Sequence, residues 1–139
     1  MSAIHQQLPN KFCKVLLIDD EQSLVWLMTR SLQRLGYEVN GFSDVRLAVE
    51  EFRRNPQSYD VVISDLSMPV LSGFEAAREI LSIRSDTAVI LTTGFVRDED
   101  VVAARNLGIR QLILKAQTME ELGDTLQQCM QEPPAQKIG

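Results

Sequence analysis

An acidic run, Asp19-Asp20-Glu21, follows the aliphatic stretch Val15-Leu16-Leu17-Ile18, and another acid, Asp65, follows Val61-Val62-Ile63-Ser64. Further along, Thr93 closes Ala88-Val89-Ile90-Leu91-Thr92, and Lys115 closes Gln111-Leu112-Ile113-Leu114. Two carboxylates about 4 Å apart repel by about 4 kcal/mol at an effective dielectric of about 20. A cluster of Asp19, Asp20 and Asp65 must therefore hold a proton or a cation. Hard carboxylate oxygens in an open site suit Mg²⁺, which keeps several waters and takes phosphate oxygens as further ligands. Lys115 would add a positive point charge and Thr93 a hydroxyl donor. Together these groups meet the needs of phosphoryl transfer to a carboxylate. Cations neutralise the charge on the equatorial oxygens, and an Asp acts as nucleophile to form an acyl phosphate.

Each residue alone also has a plain reading. Asp20 could cap a helix, Asp65 could be a loop acid ahead of Pro69, and Lys115 could be a solvated charge. The chemistry stands only if the fold gathers all of them at one place.

The elements that would do so are legible. Residues 14–19, 61–64, 88–92 and 111–114 read as short buried strands, with a weaker strand at 38–42 interrupted by Gly41. Continuous apolar runs of this kind fit a parallel sheet covered on both faces. Helical periodicity occupies 23–35, with Leu24, Leu27, Met28, Leu32 and Leu35 on one stripe and Gly36 as its stop. A second helix at 45–54 places Leu47, Ala48, Val49 and Phe52 near one face. Ser72 and Glu75 have capping-box spacing for a helix over 74–82, as do Thr118 and Glu121 for one over 119–130. A helix at 98–107 ends at Gly108. Five β-α units in succession predict a doubly wound α/β domain. The expected architecture is a five-stranded parallel sheet, flavodoxin-like, in strand order 2-1-3-4-5, with helices on both faces. Ligands of such sheets bind at the carboxyl ends of the strands, where strand order reverses. Asp19, Asp20, Asp65, Thr93 and Lys115 all fall at that edge.

The bulk numbers bound the rest. A chain of 139 residues suits one domain. We expect an N-terminal tail over 1–12, a folded unit over 13–131, and a disordered tail or linker over 132–139, where Pro133-Pro134 falls. Nineteen acids against 14 bases argue against direct DNA binding. Cys13 and Cys129 lie far apart and suit two reduced thiols. No apolar run is long enough to insert in a membrane, and a cytoplasmic location is expected.

With these residues in view, the chain resembles the receiver domain of two-component response regulators and hybrid sensor kinases. The similarity runs from about residue 14 to about residue 130. It rests on the acidic pair Asp19-Asp20, on the segment Asp65-Leu66-Ser67-Met68-Pro69-Val70-Leu71-Ser72-Gly73, on Thr93-Gly94 and on Lys115. The resemblance implies that Asp65 is the phosphoacceptor and that Thr93 and Lys115 contact the phosphoryl oxygens. It implies that Mg²⁺ is held by Asp20, Asp65 and the backbone carbonyl of Ser67, with Asp19 acting through water. Ser67 and Phe95 are expected to flank the pocket, where an apolar Phe95 would hinder attacking water. The implied donor is a phosphohistidine on a sensor histidine kinase or a histidine phosphotransfer domain, docking at Leu24, Leu27 and Ala116. No external substrate is expected, only the chain's own phosphorylation and dephosphorylation; homodimerisation on phosphorylation is open to such a fold.

Two positions depart from the family pattern. Ala116 follows Lys115 where the family usually has Pro, so a trans peptide is expected there. Leu112 stands three residues before the Lys, where an aromatic switch is usual. That second departure suits a module that relays phosphate more than one that drives an output, either excised from a hybrid kinase or standing alone. The alternative reading is a degenerate receiver acting as a phosphorylation-independent interaction module. An FMN-binding flavodoxin needs a Ser/Thr/Gly-rich phosphate loop after the first strand, which Asp19-Asp20-Glu21 is not. A small aspartyl phosphohydrolase would carry its nucleophile on the first strand and would need a cap segment.

Overall fold

The computed structural model describes residues 13–115 together with residue 124. The expectations for the two tails, for Ala116 and for the Lys115–Ala116 peptide lie outside these residues, as does the helix over 119–130 apart from residue 124, which is helical. Five strands, β1 (Lys14–Ile18), β2 (Glu38–Phe42), β3 (Val61–Asp65), β4 (Ala88–Thr93) and β5 (Gln111–Leu114), form one sheet in the order β2-β1-β3-β4-β5. Every neighbouring pair is parallel, with Ile18 level with Ser64 across β1–β3 and Thr93 level with Leu114 across β4–β5. Four described helices, α1 (Gln22–Arg34), α2 (Val45–Arg54), α3 (Gly73–Ile83) and α4 (Asp98–Leu107), connect them.

The period-2 alternation of strand side chains divides the core in two. Leu16, Ile18, Val62, Val89 and Leu91 pack with residues of α2, α3 and α4, among them Phe52, Ile80 and Ala104. Val15, Leu17, Ile63 and Ile90 face the other way and pack with Leu32 of α1. Both faces are therefore covered, which is why these strands carry unbroken apolar runs.

Local signals set the helix ends. Ser72 accepts from Glu75 N–H while the Glu75 carboxylate accepts from Ser72 N–H, a complete capping box for α3. Asp44 caps α2 through Arg46 N–H and Leu47 N–H, and left-handed Gly108 closes α4.

Two expected stripes are corrected. On α1 only Leu32 is buried, with Val25 and Met28 packing beside it, while Leu27 and Leu35 are 49% and 40% exposed. The face toward the sheet is Val25-Met28-Leu32, which keeps Met28 and Leu32 of the expected stripe but has Val25 in place of the other leucines. On α2 the buried face is Val45-Ala48-Val49-Phe52, and Leu47 points to solvent. The 3, 4 spacing that closes one face leaves Leu47 off it.

Candidate functional site

β1 and β3 are adjacent and parallel, so the residues that follow them emerge side by side. Asp19 is 1% exposed and Asp65 4% exposed, while Asp20 lies at the surface. Carboxylate oxygens of Asp19, Asp20 and Asp65 lie within 4.8 Å of one another. β5 delivers Lys115 to the same place, its Nζ 3.1 Å from Asp65 Oδ2 and 3.2 Å from Asp19 Oδ2. The backbone N–H of Lys115 donates to the Thr93 carbonyl at 2.8 Å, which fixes the root of the side chain against β4.

The remaining carboxylate oxygens are occupied by backbone. Asp19 Oδ1 accepts from Glu21 N–H at 2.9 Å and Asp65 Oδ1 from Ser67 N–H at 3.3 Å. The first of these bonds answers the capping alternative for Asp20. α1 starts after Glu21 with no side-chain cap, so Asp20 is left open at the cluster. Glu21, which sequence reasoning did not single out for the site, comes within 3.8 Å of Lys115 Nζ; its place at the end of the acidic run was the only signal.

Burial pushes the Asp65 carboxyl above its ordinary range and the charge of Asp19 adds to this, against the hydrogen bonds from Lys115 and Ser67. Lys115 is lowered by burial, but its bond to Asp65 and the fields of Asp19 and Asp65 outweigh that and raise it overall. The ammonium is thus firmly charged and sits between two nearly buried carboxylates.

Thr93 ends β4 and is buried. Its hydroxyl turns to its own loop, donating to the Phe95 carbonyl at 3.0 Å and accepting from Phe95 N–H at 3.3 Å. Ser67, Thr93 and Phe95 line an open groove of 980 Å³ that runs past Met68 and Phe74 to Arg97 and Asp100. Phe95 is 71% exposed at its rim. Asp100 is buried and paired with Arg97 Nε at 3.3 Å, another groove feature that no motif announced.

The loop from β3 to α3 is held tightly. Gly73 N–H donates to the Leu66 carbonyl at 2.8 Å, and a Cβ on Gly73 would lie 2.5 Å from the Asp65 carbonyl oxygen. Leu71 N–H closes a three-residue turn onto the Pro69 carbonyl at 2.7 Å, with Val70 at its centre at φ 73°. Of the expected docking residues, Leu24 is half-buried and Leu27 exposed, and neither belongs to the core. Trp26 is 63% exposed, with Arg30 over its ring.

This arrangement can hold a cation and a phosphoryl group beside one carboxylate. Two-component response regulator ARR10 of Arabidopsis thaliana is 29% identical over 124 residues, covering 89% of this chain but 22% of its own length. Transcriptional regulatory protein RprY of Bacteroides fragilis is 29% identical over 109 residues, 78% of this chain and 45% of that protein. The chain thus spans less than half the length of these relatives. Among solved structures, a response regulator receiver domain protein from Clostridium thermocellum superposes with a TM-score of 0.81 at 32% identity, covering 85% of this chain and 94% of that one. Chemotaxis protein CheY4 of Vibrio cholerae gives 0.79 at 31% identity, over 85% and 98%. The family model of the response regulator receiver domain matches residues 15–127, and the chain belongs to that family.

Proposed function

We propose that this receiver domain is the phosphoacceptor of a two-component phosphorelay, taking a phosphoryl group on Asp65 from a phosphohistidine of a sensor histidine kinase or a histidine phosphotransfer domain. The observation that carries the reading is the Asp65 carboxylate itself. It is nearly buried at the end of β3, held 3.1 Å from Lys115 Nζ, and shares a cluster with Asp19 and Asp20.

In the transfer, a carboxylate oxygen of Asp65 attacks phosphorus. The P–N bond breaks, and the donor imidazole leaves with the electron pair and takes up a proton. Lys115 balances the charge that spreads over the phosphoryl oxygens. Ser67 N–H, already on Asp65 Oδ1, orients the nucleophile. Thr93 would offer its hydroxyl to a phosphoryl oxygen. The three clustered carboxylates suit a hard divalent cation. Asp20, Asp65 and the Ser67 carbonyl would hold Mg²⁺ directly, with Asp19 acting through water. When bound, Mg²⁺ supplies positive charge that offsets repulsion between the carboxylates and the incoming group.

Leu24, Leu27 and Ala116 are assigned to donor docking. The exposure of Leu27 and the half-exposure of Leu24 leave both open to a partner helix. On this reading the protein works in the cytoplasm without touching DNA directly. Among the described residues, no helix is long and apolar enough to cross a membrane.

The test is intact mass after incubation with acetyl phosphate. One added phosphoryl group that requires Mg²⁺ and disappears in Asp65→Ala is the expected result. A folded native chain that gains nothing, from acetyl phosphate and from a phosphohistidine donor alike, would instead support a phosphorylation-independent interaction module. Leu112 in place of an aromatic is the feature that favours that second reading.

A further inference from the structure

We infer that Phe95, not the residue at position 112, is the aromatic group that reads the state of Thr93, by closing into the groove beside Asp65 once the Thr93 hydroxyl leaves its backbone. The inference rests on the phosphoacceptor reading of Asp65.

Leu112 is a poor reporter. It is level with Leu91 on β5 and packs against the main core, and it has no polar group with which to follow a hydroxyl. Phe95 is placed differently. The Thr93 hydroxyl clamps its backbone at both ends, donating to its carbonyl and accepting from its N–H. Among the described residues, no other hydrogen bond reaches the backbone of Phe95 or Val96. Nothing lies within 4 Å of the place a Cβ would take on Gly94, so no wall restrains the loop between clamp and ring. The ring is 71% exposed and stands at the rim of a groove also lined by Leu66, Met68 and Phe74.

A phosphoryl group on Asp65 offers the Thr93 hydroxyl a charged acceptor, and charge-assisted bonds are the stronger ones. The one hydroxyl proton cannot serve the Phe95 carbonyl as well, and swinging Oγ1 toward Asp65 draws it away from the Phe95 N–H. The loop then loses its tether, and the exposed ring gains by covering apolar surface in the groove. Phosphorylation is thereby turned into a change of shape at the mouth of the site, with Arg97 and α4 immediately downstream.

The test uses the full chain with one reporter tryptophan, Phe95→Trp combined with Trp26→Phe. Acrylamide quenching is measured before and after acetyl phosphate and Mg²⁺, and phosphoryl uptake is checked by mass on the same sample. The expected result is a quenching constant at least two-fold lower in the phosphorylated chain, with no difference in a Thr93→Val version that has taken up its phosphoryl group. Uptake without a change in quenching overturns the inference and leaves the phosphoacceptor reading standing, as does a change that persists in Thr93→Val. No uptake by the native chain, from acetyl phosphate and from a phosphohistidine donor alike, removes that reading and the latch with it. Should the reporter chain alone fail to take up phosphate, hydrogen exchange on the unsubstituted chain decides. The Phe95 amide, which loses its acceptor, should exchange faster after phosphorylation, and an unchanged rate overturns the inference.

Discussion

Replacing Gly73 by alanine would strike the end of β3, at Asp65, from behind. A Cβ at this position would lie 2.5 Å from the Asp65 carbonyl oxygen and 2.7 Å from Leu66 Cα. Ordinary van der Waals contact begins at 3.4 Å, so the first distance is about 0.9 Å short. Both obstacles are backbone and cannot swing aside as a side-chain tip would. The shift must come from the start of α3 or from the end of β3, which the 2.8 Å bond between Gly73 N–H and Leu66 C=O ties together. Overpacking of this kind costs about 1–3 kcal/mol, and the better helix propensity of alanine returns up to about 1 kcal/mol. A net loss of about 1–2 kcal/mol lowers Tm by about 3–8 °C in a domain of this size. Displacement of the Asp65 backbone should also slow phosphoryl uptake, on the order of 10–100-fold, because reacting groups tolerate little misplacement. Thermal melts by circular dichroism and the rate of uptake from acetyl phosphate read the two effects. Gly94→Ala is the control. Its Cβ meets nothing within 4 Å and its φ is not positive, so Tm should stay within about 2 °C. A Gly73→Ala chain with native Tm and native rate would refute the reasoning.

Val70 is β-branched at φ 73° and 71% exposed. Such a conformation costs on the order of 1–3 kcal/mol, and glycine returns about 0.5–1 kcal/mol of that as unfolded-state entropy, so Val70→Gly should raise the free energy of unfolding measured by urea denaturation by about 0.5–2 kcal/mol; a fall would show that Val70 carries packing instead. Lys115→Ala leaves Asp19 and Asp65 without their shared ammonium, at a cost of about 3 kcal/mol. Its Tm should drop in a chelator and recover more with added Mg²⁺ than the native Tm rises; equal Mg²⁺ responses would count against a shared cation cluster. The only two tyrosines of the chain, Tyr37 and Tyr59, are both buried, and burial pushes each up to about 12. Because the folded state holds these protons more tightly, their contribution is full below pH 10 and is lost as pH rises through about 12, by up to about 2–3 kcal/mol each. Absorbance at 295 nm should show both ionising together with unfolding, and independent ionisation near pH 10 in the folded chain would contradict this.

Much of the fold was legible because its signals are local and agree with one another. Apolar runs bounded by polar residues marked the strands, and Ser72 with Glu75, Gly36 and Gly108 marked helix ends. Met28 and Leu32 of the α1 stripe were read correctly, but Val25 was missed because Leu24, Leu27 and Leu35 outweigh it in hydrophobicity, whereas sheet geometry, not hydrophobicity, decides which side faces inward. The same limit applied at the site. Strand order places Asp19, Asp65, Thr93 and Lys115 at one edge without saying where a side chain turns once there. That Asp19 gives one oxygen to Glu21 N–H, or that Thr93 faces Phe95, depends on loop dihedrals that no periodicity encodes.

The balance of charge in the resting site shows why these groups belong together. Asp19, Asp20 and Asp65 set three carboxylates against the single ammonium of Lys115, and Glu21 stands close by. Lys115 already bridges two of the three, so it does not offset a further anion by itself. A phosphoryl group arriving on Asp65 turns a carboxylate of charge −1 into an acyl phosphate of about −2, about one more negative charge in a place where burial already disfavours one. At an effective dielectric of about 20, each added unit charge about 4 Å from an uncompensated carboxylate costs about 4 kcal/mol. A divalent cation offsets a penalty of that size, whereas a rearrangement of neutral side chains does not. The acidic pair after β1 is therefore best understood as part of the acceptor. On the proposed reading it would hold the positive charge without which Asp65 would be too crowded by anions to become one that is more negative still.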